Sequence, residues 1–338
     1  MSGTAAATLP ADLLDIARSA RVTSPRSYVL LGDERELPAA EGEPPPVPPV
    51  VQQLELEIYL RLYTRLHRHG DLAGGSLDPL GQRDLVGALS AANRGTGTWE
   101  AGWRIVSLEE DGNVAVVKDD VTFWVRPEGL RTQSGRTAPG DYCRVRVGKE
   151  LRSLVPGFYV AIGDGEAEGG DRPGPLLRLY WHLTAGAAVP YMAAATSVLN
   201  GLGVPFRTKV LADPAAYLRA DAGVLYVERR HFPRIRPALR EIHAAVAAGL
   251  RPEVPMFTRP LAAGLGVAED PGHGMSFGQA RCRTSARALW SAFEAGREEE
   301  GDRAGALAEA FAHEGLDVAN LHRVPGSEDV YDLAEESA

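Results

Sequence analysis

One stretch does most to limit how this chain can fold. In LRLYWHLT, Leu177, Leu179, Trp181 and Leu183 alternate with Arg178, Tyr180, His182 and Thr184. Successive side chains on a strand point to opposite faces. The stretch is therefore a strand with one apolar face, and a second face that carries a cation, a phenol, an imidazole and a hydroxyl. Such a strand needs a sheet whose one side packs a core while the other meets water or a ligand.

The strand opens an alternating series. Ala187–Leu202 reads as a helix ending at Gly203, Pro205–Leu211 as a strand, and Asp213–Arg219 as a short helix with an Asp-Pro start. Val224–Arg230 reads as a strand and Pro233–Ala248 as a helix. Parity places Arg207 and Lys209 on one face of the second strand, and Tyr226, Glu228 and Arg230 on one face of the third. Strand-helix-strand connections favour adjacency, which would bring His182, Arg207, Lys209 and Arg230 together around a dianion. A neighbouring positive charge would depress the pKa of Lys209. The plainer use of Arg207 and Arg230 is in salt bridges to Glu228 and Asp213. A solvated sheet face would likewise account for the polar side of LRLYWHLT.

The remainder is less regular. Residues 1 to about 25 are Ala-rich and predict a helix or an arm, followed by a short strand at Ser27. Pro38 to Pro49 is too rich in proline for regular structure. Leu54, Ile58, Leu62 and Leu66 recur at fours and predict a helix over Val51–His69, with a second over Leu80–Ala92. A meander follows, with Asp111-Gly112 as a hairpin turn and Lys118 on its second, exposed-looking strand. Two further strands lie in CRVRVGKELRSLVPGFYVAIGD, where Lys149 shares parity with Val145 and Val147. Met256–Gly278 reads as a long Gly/Pro-rich loop of the kind that often serves function. The last helices occupy roughly 279–314. The order predicts an α+β fold, an N-terminal helical and antiparallel part followed by a mixed sheet flanked by helices.

Composition excludes several classes. No apolar run approaches the roughly 20 residues of a membrane helix, and the start of the chain lacks the basic, apolar pattern of a signal peptide. Two distant cysteines, Cys143 and Cys282, make neither a disulfide framework nor a cysteine zinc site. A reducing cytoplasm is the expected compartment. A net charge of −9 disfavours a general nucleic-acid binder. Of 36 basic residues only three are lysines, Lys118, Lys149 and Lys209. Where arginine is the default cation, a retained lysine is a candidate for what arginine cannot do, namely lose a proton and act as a base.

The loop region holds another cluster: Glu269, Asp270, His273, Ser276, Arg281 and Arg283. Ser276 suits a helix cap better than a nucleophile, and a helix start beside Arg281 suits a phosphate. No Walker motif, G-x-G-x-x-G or G-x-S-x-G occurs. His67 and His69 form an HRH that matches a helix surface better than a metal site.

The block LRLYWHLTAGAAVPYMAAATSVLNGLGVPFRTKVLADPAAYLRADAGVLYVERRHFPRI resembles the HopA-type type III effector family. The likeness runs on through FTRPLAAGLGVAEDPGHGMSFGQARCR and upstream into LSAANRGTGTWEAGWRI. It implies a single HopA-like α+β domain over 51–338, preceded by an arm, short strand and Pro-rich loop over 1–50. Members of this family include effectors delivered into host cells and the lyase components of class V lanthipeptide and thioamitide dehydratases. In the second group an aminoglycoside-phosphotransferase-like kinase phosphorylates a precursor peptide. The HopA-like protein then eliminates the phosphate as a phosphoserine/phosphothreonine lyase, giving dehydroalanine or dehydrobutyrine. The arginine-for-lysine usage favours this group. The resemblance implies Lys209 as the base and His182 as the acid, with Tyr180 or His231 as alternative acids. It implies Arg178, Arg207, Arg230, Arg281 and Lys149 as candidate phosphate ligands, with no cofactor and no metal. The expected partners are a phosphorylated precursor peptide and the kinase, with no nucleic acid and no membrane. The rival reading is a non-catalytic effector-like or scaffold protein that binds the peptide or the kinase.

Overall fold

The computed structural model describes residues 9–39, 47–70, 79–118, 121–132, 135–152, 155–166, 174–272 and 274–334. The first eight residues, the centre of the Pro-rich segment at 40–46, and His273 lie outside these ranges.

The fold is α+β, and the described residues form three antiparallel sheets. The first contains β1 (Ala20–Ser24), β2 (Ser27–Leu30) and β3 (Asp33–Glu36). The second has five strands: β4 (Thr98–Leu108), β5 (Val114–Lys118), β6 (Val121–Val125), β7 (Leu130–Thr132) and β8 (Tyr142–Val147), in the order β6-β5-β4-β8-β7. The third has seven: β9 (Glu150–Leu151), β10 (Phe158–Ile162), β11 (Leu176–Trp181), β12 (Phe206–Leu211), β13 (Gly223–Glu228), β14 (Arg259–Ala262) and β15 (Leu265–Glu269). Their order is β14-β15-β11-β13-β12-β10-β9. The helices are α1 (Ala11–Ser19), α2 (Pro49–Glu57), α3 (Pro79–Ala92), α4 (Ala185–Leu202), α5 (Phe232–Val246), α6 (Phe277–Glu294) and α7 (Glu300–His313).

The large sheet is antiparallel throughout, not mixed as the alternating strands and helices had predicted. The reason lies in strand order. Helix α4 carries the chain from β11 to β12, which run in the same direction. But the two are not neighbours, since β13 fills the gap and pairs antiparallel with both. A second difference is the β14–β15 hairpin inside the expected long loop. All five residues of β15 are buried, so it lacks the alternation that marks a strand, and Gly264, at φ +69°, makes the turn. The meander around Asp111-Gly112 forms as expected in β4 to β6.

The apolar face of the large sheet meets α4 and α5. Leu177, Leu179, Trp181, Phe206, Val210, Leu225 and Val227 form a core there with Tyr191, Met192, Phe232 and Ile235. The opposite face is covered by two different layers. Tyr180, Val224 and Ala268 pack under α2 and α6, with Tyr63 and Phe277 between. Val160 and Ile162 pack instead against the five-stranded sheet through Trp103, Val145 and Val147. Between these two covers, side chains at the centre of the sheet remain partly uncovered.

The segment after α2 departs from an α-helix. Residues Ile58–Tyr63 form a π-helical turn, followed by a 3-10 turn at Leu66–Arg68. The spacing of its apolar residues explains this. On an α-helix, steps of four residues drift by about 40° each. A wider π turn removes part of the drift, so Leu54, Ile58, Leu62 and Leu66 are all buried. The same turn stacks Tyr59 on Tyr63, with centroids 5.1 Å apart and rings 20° from parallel. Ser276 caps α6 as expected, accepting from Gln279 N at 3.2 Å while Gln279 Oε1 accepts from Ser276 N.

Candidate functional site

The strand register assembles the uncovered centre. Arg178 on β11 lies opposite Tyr226 on β13, and Tyr226 opposite Arg207 on β12. In the next row Tyr180 faces Val224, and Val224 faces Lys209. These side chains share the face away from α4 and α5. Lys209, Tyr226 and Arg178 are each partly exposed.

The three lysines have different fates. Lys118 donates to Glu100 Oε1 at 2.9 Å and to Ala101 O at 2.7 Å, so it is anchored rather than free on its strand. Lys149 donates to Ser90 O at 2.8 Å and Asn93 O at 3.2 Å, closing the C-terminal end of α3. That role explains its retention and removes it from the phosphate ligands. Lys209 makes no hydrogen bond or ion pair among the described residues. Its Nζ sits 4.2 Å from the ring centre of Phe158 and 5.9 Å from that of Tyr226. Aromatic faces hold an ammonium weakly and leave it available to an incoming group.

The arginines divide as well. Arg178 lies 5.1 Å from the Tyr226 ring and donates to Asp270 Oδ2 through Nε and Nη2, at 2.6 and 2.5 Å. Nη1 is left uncommitted among the described residues. Although burial works against its charge, the phenols of Tyr180 and Tyr226 and the Asp270 carboxylate raise its pKa further. Arg207 is half-exposed and reaches across to Glu100 of β4 at 2.8 Å. Arg230 is exposed at the end of β13, with Nε on Glu228 at 2.7 Å. Arg281 is buried, and its guanidinium donates to Leu321 O and Arg323 O, both at 3.0 Å. Burial lowers its pKa to about 10. The expected convergence of His182, Arg207, Lys209 and Arg230 around one dianion is therefore not found, and the candidate ligand Arg281 is engaged elsewhere. Arg178 and Arg207 flank the patch, while Arg281 fastens the C-terminal segment.

His182 also departs from the expected grouping. It directly follows β11, but its ring is fully buried and Nδ1 lies 3.0 Å from Glu253 O. Its neighbours are Glu253 and His69, whose ring centre is 5.2 Å away. Burial lowers its pKa to about 4, so at neutral pH it is an uncharged imidazole and not the imidazolium the acid role requires. His231 is buried in the 3-10 turn after β13.

Four residues that sequence reasoning did not single out border the patch. Tyr59 donates to Asp221 Oδ2 at 3.2 Å. Arg219 binds both oxygens of Asp221, each at 2.8 Å. Tyr63 meets Tyr180 edge-on, with centroids 6.5 Å apart. Burial raises the phenol pKa of Tyr59, Tyr63 and Tyr180. Burial alone would also raise the carboxyl of Asp221, but the charge and hydrogen bonds of Arg219, then Lys209 and Tyr59, outweigh it and the net shift is downward. Nothing local in the sequence marks Tyr59 or Tyr63, because they reach the sheet only through the π turn. A separate cavity of about 290 Å³, lined by Asp12, Phe257, Arg259, His322 and Asp329, shares no residue with the patch.

The site is thus an open sheet face in an α+β protein, with a lysine held against rings and flanked by arginines. Residues 151–323 match the model of the HopA1 effector protein family. This chain belongs to that family. Two solved structures are similar in overall form. One is an effector protein from Pseudomonas syringae pv. tomato strain DC3000, at 15% identity and TM-score 0.44, with 81% of this chain and 93% of that one covered. The other is an effector protein from Pseudomonas syringae pv. syringae strain 61, at 13% identity and TM-score 0.41, with 81% and 95% covered. No curated protein matches the sequence. Among the described residues, no helix is long and apolar enough to cross a membrane.

Proposed function

We propose that this protein is a phosphoserine/phosphothreonine lyase that acts on a kinase-phosphorylated precursor peptide in lanthipeptide or thioamitide biosynthesis. The observation that carries the reading is Lys209. Of the three lysines it alone lacks a hydrogen-bonding partner among the described residues, and it lies on the partly open face beside two arginines.

In this mechanism the phosphate lies against Arg178 and Arg207, with the free Nη1 edge of Arg178 as a donor. Guanidinium–phosphate pairs are among the stronger polar contacts. Lys209, deprotonated, takes the Cα proton of the phosphorylated residue. The electron pair forms the Cα–Cβ double bond, and the Cβ–O bond breaks with its pair going to phosphate. Tyr226, between Lys209 and Arg178, takes the acid role in place of His182 and protonates the departing oxygen. Tyr180, more deeply buried, orders this phenol-rich wall. The protein works with the kinase that supplies its substrate, in the cytoplasm where both are made.

The test is to incubate the purified protein with a phosphothreonine peptide and record its mass. Each elimination leaves the peptide about 18 Da lighter than its unphosphorylated form, a covalent change that binding cannot make. A peptide that returns only intact, with and without the kinase, would overturn the reading and favour a scaffold.

A further inference from the structure

We propose that His69, His182 and Glu253 form a binding site for one divalent transition-metal ion, with zinc the best match. The proposal stands independently of the lyase reading. The three residues come from separate parts of the chain: His69 just after the 3-10 turn, His182 just after β11, and Glu253 in the loop before β14.

The geometry is that of a ligand set. One donor atom from each residue lies within 4.8 Å of the other two. His69 Nε2 is 3.5 Å from Glu253 Oε2, and the His182 ring lies beside the same carboxylate, with its Nδ1, turned to Glu253 O, 3.8 Å from Oε2. Donor atoms bound to zinc at ~2.0–2.1 Å and tetrahedral angles lie roughly 3.4 Å from one another.

The second argument is unsatisfied polarity. His69 Nε2, His182 Nε2 and Glu253 Oε2 are all buried and make no hydrogen bond. An unmet buried polar atom is costly, and three such atoms on residues clustered in one place call for a partner. The bond between His182 Nδ1 and Glu253 O places the ring proton on Nδ1 and leaves the Nε2 lone pair free. Metal-binding histidines typically use their second nitrogen this way, to fix tautomer and orientation. Two imidazoles and a carboxylate suit zinc, cobalt or nickel better than calcium or magnesium, and a water would complete the coordination.

The cations nearest the corner are Arg68 and Arg251, which act on Glu253 and His182. Arg68 is tied to Asp15 at 3.2 Å. The ion would pin the segment that contains the π turn against the end of β11. Because Tyr59 and Tyr63 ride on that turn, the ion would set the wall of the Lys209 patch without touching substrate.

The experiment uses tag-free protein, stripped with EDTA and dialysed. Zinc is then titrated while melting temperature is followed, bound metal is measured by mass spectrometry, and cobalt is substituted to read its visible absorption. The expected result is one tightly held equivalent, a higher melting temperature, and the intense cobalt bands of a four-coordinate site. His69→Ala and Glu253→Gln, each with native circular dichroism, should weaken zinc binding at least about tenfold, while His67→Ala should not. Failure of the wild-type protein to retain zinc or to give the cobalt spectrum would overturn the proposal without requiring any variant to fold. Equal binding by wild type and both variants would overturn it as well.

Discussion

Two polar regions share one face of the large sheet and differ in how they treat an unpartnered nitrogen. At Lys209 the ammonium rests against Phe158 and Tyr226 in a partly open setting. Water reaches it, so the missing hydrogen bond costs little and the group stays available. At His182 the ring is buried, and three buried donor atoms of His69, His182 and Glu253 lack hydrogen-bond partners. There the same deficiency is expensive and calls for a resident occupant. The open nitrogen is thus suited to transient ligands, and the closed ones to a permanent one.

The sharpest way to break this contrast is Lys209→Arg. Arginine keeps the charge but cannot give up its proton. Elimination should fall by about 10²- to 10⁴-fold, while phosphopeptide binding, melting temperature and zinc uptake stay near wild type. Single-turnover assays with a phosphothreonine peptide decide it, and near wild-type elimination would remove Lys209 as the base.

Next in size is Asp221→Asn, at the border between the two regions. Removing one partner of a buried pair strands the other, here Arg219, and costs about 3–5 kcal/mol. The Asp221 carboxyl is held below its ordinary value in the folded protein. Its contribution is therefore complete above the unfolded pKa of about 3.9 and is lost as pH falls through the folded value. Urea melts of wild type and variant should differ most at neutral pH and converge below about pH 4. A constant difference would assign the effect to packing.

A smaller effect is expected at Lys149→Met. Two charged hydrogen bonds to the end of α3 disappear, for a loss of about 1–3 kcal/mol, and elimination should be unchanged. A variant that loses elimination with its stability intact would return Lys149 to the site. Smallest is Arg207→Ala. Its half-exposed pair with Glu100 contributes about 0.2–1 kcal/mol to stability. The visible change should be a higher KM, measured by varying phosphopeptide concentration.

The legible and the hidden parts of this molecule divide by range. Alternation in Leu177–Thr184 and parity in β12 located the polar face, because both are local rules that tertiary packing leaves intact. The rarity of lysine pointed to Lys209, but only the structure separates it from Lys118 and Lys149, whose carbonyl and carboxylate partners lie far along the chain. Strand β15 escaped notice because total burial erases alternation. The antiparallel order escaped because a crossover helix predicts parallel direction and says nothing of a third strand entering between. His69 looked like a surface histidine because its partners, His182 and Glu253, are brought to it only by the completed fold.

The packing of α1 has a consequence for synthesis. Helix α1 docks on α7, with Arg303 donating to Ala17 O, while Asp12 accepts from the backbone of Phe257 and from Arg65. Leu13, Ile16, Leu54 and Ile58 are fully buried only in that company. A ribosome makes α1 nearly 300 residues before α7, so the nascent chain carries this apolar surface uncovered until α7 emerges. Long-range closure of this kind slows folding and exposes the chain to aggregation. Helices α1 and α2 are thus made well before the helices that cover them, and their apolar faces find their place late in folding.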